Sequence, residues 1–325
     1  MGDLPSPRVS PARPFLHCGI DYCGPFLVKD SRRRNSSYSK SYVAIFICMS
    51  SKAVHLELTF DLSTEAFLNA LKRFISRRGV PSDIYTDNGT NFVGANRELK
   101  NLREIVINAM RQDKVVNFSA QKGINWHYIP PHAPHFGGLW EAAVKVMKFH
   151  LKRVAGTANL MHDELQTVLI QIEAVLNSRP MIPLSSDPND HTYLSPAHFL
   201  IGDTFTAPAE PTLLEVKESH LSRWQRVEQI KQHFWKRWQS DYLNQMQQRT
   251  KWKANAPSLK PGDLVIMRED NIPPLCWPMA RIEAVHPGAD GVVRAATVKN
   301  AKGTYKRATS KLCPLLLETN NSDEN

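Results

Sequence analysis

The chain has 325 residues, 42% of them hydrophobic, which exceeds one ordinary domain and can fill a buried core, so two domains with a connector are expected. Lys and Arg number 41 against 31 Asp and Glu, a formal charge of +10 that favours a polyanionic partner and makes nucleic acid the first expectation. No apolar run nears the ~18 residues of a membrane span and no charged-then-apolar leader opens the chain, so a soluble, intracellular protein without a membrane partner is expected.

The five cysteines, Cys18, Cys23, Cys48, Cys276 and Cys313, form no Cys-x-x-Cys pair. Neither His17 and Cys18 beside Cys23 nor His132 beside His135 has a complementary ligand pair at zinc spacing, so free thiols and no zinc site are expected.

Residues 1–14 carry Pro5, Pro7, Pro11 and Pro14 and predict an extended lead-in, with order beginning near Phe15. A strand around Asp21 is followed by a basic polar turn, Lys29 to Lys40, and by the apolar run Tyr42 to Cys48. Val54, Leu56 and Leu58 then alternate with His55, Glu57 and Thr59, the period-two pattern of a half-exposed strand, so an antiparallel meander is expected.

From Ser63 to Arg78 apolar residues recur at helical spacing, with Ser63 or Thr64 as cap and Gly79 as terminator. Next come a strand ending at Asp87, a helix from about Asn96 to Met110, and a strand at Ile124 to Ile129. Alternating strands and helices predict an α/β core with a mixed sheet. Prolines and glycines in Pro130 to Gly138 read as irregular chain, delivering a helix that begins near Leu139 and holds Glu141 in its first turn. On that helix Glu141, Lys145, Lys148 and Lys152 share one face, which taken by itself reads as a solvated face with an ordinary Glu-to-Lys pair. The helix Asp163 to Ser178 shows a single apolar stripe and predicts core packing only. Glu173 on it lies outside every motif below.

Arg179 to Pro211 is proline-punctuated and closes the first domain. Leu221 to Lys253 reads as a long helix with Trp224, Phe234, Trp235, Trp238, Tyr242 and Trp252 at near-helical intervals. Over Ser219 to Ala254 eight Lys or Arg face only Glu228 and Asp241, so the helix can pack through its aromatics and touch phosphate through its bases. Short strands at Leu264 to Arg268, Trp277 to Val285, Gly291 to Val298 and Tyr305 to Ala308, with Pro-Gly and Lys-Gly turns, predict a small all-β barrel. Glu318 to Asn325 is a polar tail.

Three acids stand in distinctive settings: Asp21 in His17-Cys18-Gly19-Ile20-Asp21-Tyr22-Cys23-Gly24-Pro25, Asp87 in Tyr85-Thr86-Asp87-Asn88-Gly89-Thr90-Asn91-Phe92, and Glu141 in Phe136-Gly137-Gly138-Leu139-Trp140-Glu141. Carboxylates suit hard divalent cations, and two such ions about 3.5–4 Å apart can activate a nucleophile and stabilise a leaving oxygen in phosphodiester chemistry. Each acid alone could be a turn former or a helix-terminal charge.

Together these segments resemble the Asp-Asp-Glu catalytic core of retroviral and retrotransposon integrases, and the flanks are most similar to the BEL/Pao class of LTR retrotransposons. The resemblance extends through Leu176-Asn177-Ser178-Arg179-Pro180, Leu194 to Gly202, and a C-terminal module at Pro261 to Val265, Trp277 to Ile282 and Gly303 to Arg307. It implies a ribonuclease H-like core with a five-stranded mixed sheet over 15–203. It further implies a linker and basic helix over 204–256, a Src-homology-3-type barrel that helps bind DNA over 257–317, and a tail over 318–325. By the same resemblance Asp21, Asp87 and Glu141 hold two Mg2+ or Mn2+ ions, Asp21 bridging both. Lys145 and Lys148 match lysines that contact the DNA end, with Lys152 continuing their face. Asn88 and Asn91 position phosphate or shape the turn, the turn being favoured for Asn88, and His135 joins them on the DNA side.

The implied activity is trimming of a DNA 3′ end and attack of the new 3′ hydroxyl on target DNA, by a homo-oligomer that acts in the nucleus after a cytoplasmic phase. Between Asp87 and Glu141 lie 53 residues, more than in retroviral integrases, the excess falling within Lys100 to Lys122. Two other readings stand beside it. One is a domesticated or decayed copy that binds DNA without chemistry, because the His-His-Cys-Cys module usual before such cores is not seen. The other is a cut-and-paste transposase or nuclease on the same core.

Overall fold

The computed structural model describes residues 6–33, 35–86, 91–100, 123–128, 134–156, 158–251 and 259–315, and the side chains of 6–7, 134–144 and 248–251 are outside that description. Two compact units emerge: Met1–Leu176 with Lys217–Lys231, and Asn177–Val216 with Gln232–Asn325. The expected boundary at 203 falls inside the second. No described helix is long and apolar enough to cross a membrane.

The first unit is built on a five-stranded mixed sheet. Strands β1 (His17–Lys29), β2 (Tyr38–Cys48) and β3 (Val54–Thr59) form the expected antiparallel meander, and β4 (Asp83–Thr86) and β5 (Asn125–Tyr128) run parallel to β1, in the order β3-β2-β1-β4-β5. β1 is therefore the central strand, with a neighbour of each orientation. Its register with β2 breaks between Cys23 and Phe26. Gly24 lies there at φ 143°, where an added Cβ would come 2.9 Å from the Tyr42 ring, so glycine is required at this break in the register.

Helix α1 (Thr64–Arg78) has the caps its sequence announces. The Ser63 hydroxyl accepts from the Ala66 amide at 3.2 Å, and Gly79, at φ 84°, closes the end on the Ile75 carbonyl. Phe67, Ala70, Leu71 and Phe74 are its buried face, and Phe74 stacks on Phe46 of β2 with centroids 4.2 Å apart.

Strand β3 departs from expectation, since all six residues are buried, including His55, Glu57 and Thr59. Period two is present, but the polar side chains face α1 and helix α3 (His162–Asn177) rather than water. Glu57 takes His55 Nε2 at 3.0 Å, Arg73 Nε at 2.6 Å and Arg77 Nη1 at 2.8 Å. Glu173 of α3 takes Arg78 Nη2 at 2.6 Å, the Leu56 amide at 2.9 Å and His55 Nδ1 at 3.2 Å. The α3 stripe is thus core packing plus one buried carboxylate, a role its apolar spacing does not reveal.

Helix α2 (Pro134–Ala155) starts five residues before the expected Leu139. Pro134 opens it, where proline lacks only a hydrogen-bond donor that the first turn cannot use, and Gly137 and Gly138 are carried inside. Residues 91–100 are helical, an earlier start than Asn96, and the rest of that expected helix lies outside the described residues.

In the second unit β8 (Leu264–Met267), β9 (Met279–Pro287), β10 (Val293–Asn300), β11 (Gly303–Ala308) and β12 (Leu312–Pro314) make an antiparallel sheet in the order β11-β10-β9-β8-β12. Its core is Val265, Met267, Ala280, Ile282, Ala296, Val298 and Leu312. β12, three residues ending in proline, carries too little pattern to be read from sequence. Residues 177–216 include a two-stranded ribbon, β6 (Ile182–Pro183) with β7 (Tyr193–Leu194). Trp277 packs edge-on against Trp235, Trp238 and Tyr242 and donates to Ser178 Oγ at 3.2 Å. Arg281, 4% exposed, donates to the Asp190, Gly262 and Ser185 carbonyls. Of the expected aromatic stripe, Phe234, Trp235, Trp238 and Tyr242 of helix α4 (Arg223–Lys251) pack within this unit, whereas Trp224 is 64% exposed and Trp252 lies outside the described residues. All five cysteines are free, with only Cys276 exposed.

Candidate active site

Asp21 lies on the central strand, paired across β2 with Ile45. Its Oδ1 accepts from the Tyr22 amide at 2.6 Å, fixing the carboxylate against its own strand. Lys148 Nζ of α2 stands 2.5 Å from Oδ2, and the two side chains are 27% and 34% exposed. Two segments 127 residues apart in sequence therefore meet at one carboxylate.

The parallel register of β1 and β4 ends on the pair Gly19↔Tyr85, and in sequence an acid follows two residues later on each side, Asp21 and Asp87. Asp87 and Asn88 lie outside the described residues. Glu141 and His135 lie on α2, with side chains that are outside the description. Lys145 and Lys152 are exposed on the same helix, one turn before and after the inward-facing Lys148. Of the four residues on that face, Lys148 is the one whose side chain the structure joins to an expected metal ligand.

Asn91 is 8% exposed and lies near the Tyr22 ring, which stacks on Phe92 at 5.5 Å. Burial pushes the Tyr22 phenol up to about 12, against the opposing influence of Asn91 and Thr59. Burial likewise raises the Cys23 thiol to about 11, with the Lys148 and Lys152 cations pulling it down and Asp21 pushing it up.

Among the described residues no group of three or more His, Cys, Asp or Glu is placed to hold a metal ion. The one described member of the expected trio fits a hard divalent cation: Asp21 offers carboxylate oxygen, is partly open to solvent, and already engages an ammonium at Oδ2.

A second polar cluster sits at the opposite end of the parallel strands. Asp83 receives Ser82 Oγ at 2.6 Å and contacts His127 Nε2 at 2.7 Å and His17 Nδ1 at 3.0 Å. Burial acts to raise its pKa, but these partners outweigh it and hold the carboxyl below its usual range. Sequence reasoning passed over this cluster, because its members are scattered over three strands and only the sheet register unites them.

Among known proteins, a family of unknown function (DUF5641) matches residues 222–315. No curated protein matches the chain. A solved simian T-cell lymphotropic virus intasome in complex with PP2A regulatory subunit B56 gamma is similar over 96% of this chain and 84% of that one, at 14% identity and a TM-score of 0.37. The HTLV-2 integrase catalytic core domain in complex with magnesium, in dimeric form, is similar over 52% of this chain and 91% of that one, at 18% identity and a TM-score of 0.32.

Proposed function

We propose that this chain is a retrotransposon-type integrase of BEL/Pao kind, which trims DNA 3′ ends and joins them to target DNA. The observation that carries the reading is the Lys148–Asp21 contact, because it brings the helix that bears Glu141 onto the acid of the central strand. The sheet order β3-β2-β1-β4-β5, with β4 and β5 parallel to β1, supports a ribonuclease H-like core. In the second unit, four meandering strands and a fifth returning to β8 after a 3-10 turn support the Src-homology-3-type barrel.

In this reading Asp21, Asp87 and Glu141 hold two Mg2+ or Mn2+ ions. When bound, the ions supply activation of the attacking oxygen and stabilisation of the leaving one. Asp21 is braced at Oδ1 by the Tyr22 amide and engaged at Oδ2 by Lys148. The exposed Lys145 and Lys152 neutralise DNA phosphates, Asn88 and His135 are assigned to the DNA side by the resemblance alone, and the buried Asn91 shapes the turn rather than meeting phosphate. The working form is a homo-oligomer on element ends and target DNA, acting in the nucleus.

The test is an oligonucleotide assay with Mg2+ or Mn2+ on the wild type and Glu141→Gln. Metal-dependent trimming and joining by the wild type, lost in Glu141→Gln with DNA affinity retained, is the expected result. Full activity of Glu141→Gln refutes the Asp-Asp-Glu assignment. A wild type that binds DNA yet performs no chemistry points instead to a domesticated binder.

A further inference from the structure

The ammonium of Lys148 is committed to Asp21, while the proposed function assigns the same side chain to a DNA phosphate. We propose that Lys148 is an internal counter-ion of Asp21 that a divalent cation displaces, so that metal binding frees this lysine for a phosphate and couples metal to DNA. The inference rests on the reading of Asp21 as a metal ligand.

Both Asp21 oxygens are occupied, Oδ1 by the Tyr22 amide at 2.6 Å and Oδ2 by Lys148 Nζ at 2.5 Å. Each carboxylate oxygen keeps a second lone pair, so what drives the ammonium off is not a lack of sites but the repulsion between a divalent cation and a lysine cation on the same oxygen. A doubly charged ion at that oxygen outweighs a single, partly solvated one, and the flexible lysine stem lets Nζ swing away while its Cα stays on α2. Lys145, one turn earlier, is exposed and makes no ion pair among the described residues, so it carries the same charge without the contact. By linkage, whatever affinity the metal loses in displacing Lys148 returns as improved DNA binding, since the released ammonium neutralises one more phosphate.

The test compares wild type, Lys148→Met, Lys145→Met and Asp21→Asn as full chains with matched melting curves. Free Mn2+ is titrated by electron paramagnetic resonance without DNA. Lys148→Met is expected to bind Mn2+ about two- to fivefold more tightly than wild type, the range open to a partly exposed ion pair, and Lys145→Met to change less. DNA binding is then measured across salt concentrations with and without Ca2+. The slope of log affinity against log salt is expected to steepen by about 0.9 with Ca2+ in wild type and to stay fixed in Lys148→Met. Lys148→Gln must repeat both results.

Equal Mn2+ affinity in Lys148→Met and Lys145→Met, or a wild-type slope indifferent to Ca2+, overturns the displacement while leaving the metal site intact if Asp21→Asn still loses Mn2+. A wild type that takes up no more Mn2+ than Asp21→Asn overturns the metal assignment itself, and the displacement with it.

Discussion

Glu173→Gln tests whether the buried charges of β3 and α3 hold the first unit together. By sequence Glu173 is an unremarkable position between apolar neighbours, yet its carboxylate accepts from Arg78 Nη2 at 2.6 Å, the Leu56 amide at 2.9 Å and His55 Nδ1 at 3.2 Å. Its side chain is 12% exposed and that of Arg78 19%, so solvent screens these contacts only weakly. Glutamine keeps one acceptor oxygen, but it presents an NH2 where a second acceptor stood and removes the charge that balances Arg78 and His55. Breaking a buried pair by removing one partner costs about 3–5 kcal/mol. Because glutamine can still accept from the Leu56 amide, we expect about 2–4 kcal/mol. Urea denaturation followed by circular dichroism gives the global loss, and amide exchange at Leu56 gives the local one. A loss under about 0.5 kcal/mol on both scales, the value of an exposed ion pair, refutes the reasoning.

The same cluster sets a pH window. Burial acts to lower the His55 pKa, but Glu173 and Glu57 outweigh it and the value is raised, so its contribution is full below the ordinary 6.5 and lost as pH rises through the folded value. Burial acts to raise Glu57, but His55 and Arg73 outweigh it and the value is lowered, so its contribution is full above the ordinary 4.5 and lost as pH falls through the folded value. Wild type should therefore lose more stability than His55→Gln as pH rises above the ordinary 6.5, and equal losses in urea melts would show that the imidazole plays no part. Lys145→Ala with Lys152→Ala should reduce the salt slope of DNA binding by about 1.8, and an unchanged slope returns both lysines to an ordinary solvated face. Trp277→Ala removes the ring packed against Trp235, Trp238 and Tyr242 and should cost the second unit about 3–5 kcal/mol, a loss below about 1 kcal/mol showing that the cluster collapses around the gap.

What the sequence made legible is what local chemistry determines. Ser63 and Gly79 cap α1 as expected because a cap is a contact within one turn, and the meander β1 to β3 follows from runs long enough to show their period. His55 and Glu57 were expected to face water, since alternation marks two faces of a strand without saying what covers each. Their partners, Arg73, Arg77 and Glu173, lie on other elements. Pro134 and Gly137 read as breakers and so predict a later start for α2, although proline suits a first turn. For the site, the motifs flagged Asp21 and Lys148 separately. Their contact depends on α2 packing against β1, which no spacing within either segment encodes.

Asp21, Asp87 and Glu141 are proposed to share one cation site, and thermal melting with and without Mg2+ tests that most directly. Crowded carboxylates repel one another, so Mg2+ should raise the melting temperature of the wild type and do so markedly less in Asp21→Asn, Asp87→Asn and Glu141→Gln, each of which removes one ligand charge. Glu215→Gln, at an exposed position outside every motif, should keep the full shift. A shift in Asp87→Asn or Glu141→Gln equal to that of the wild type contradicts the shared site.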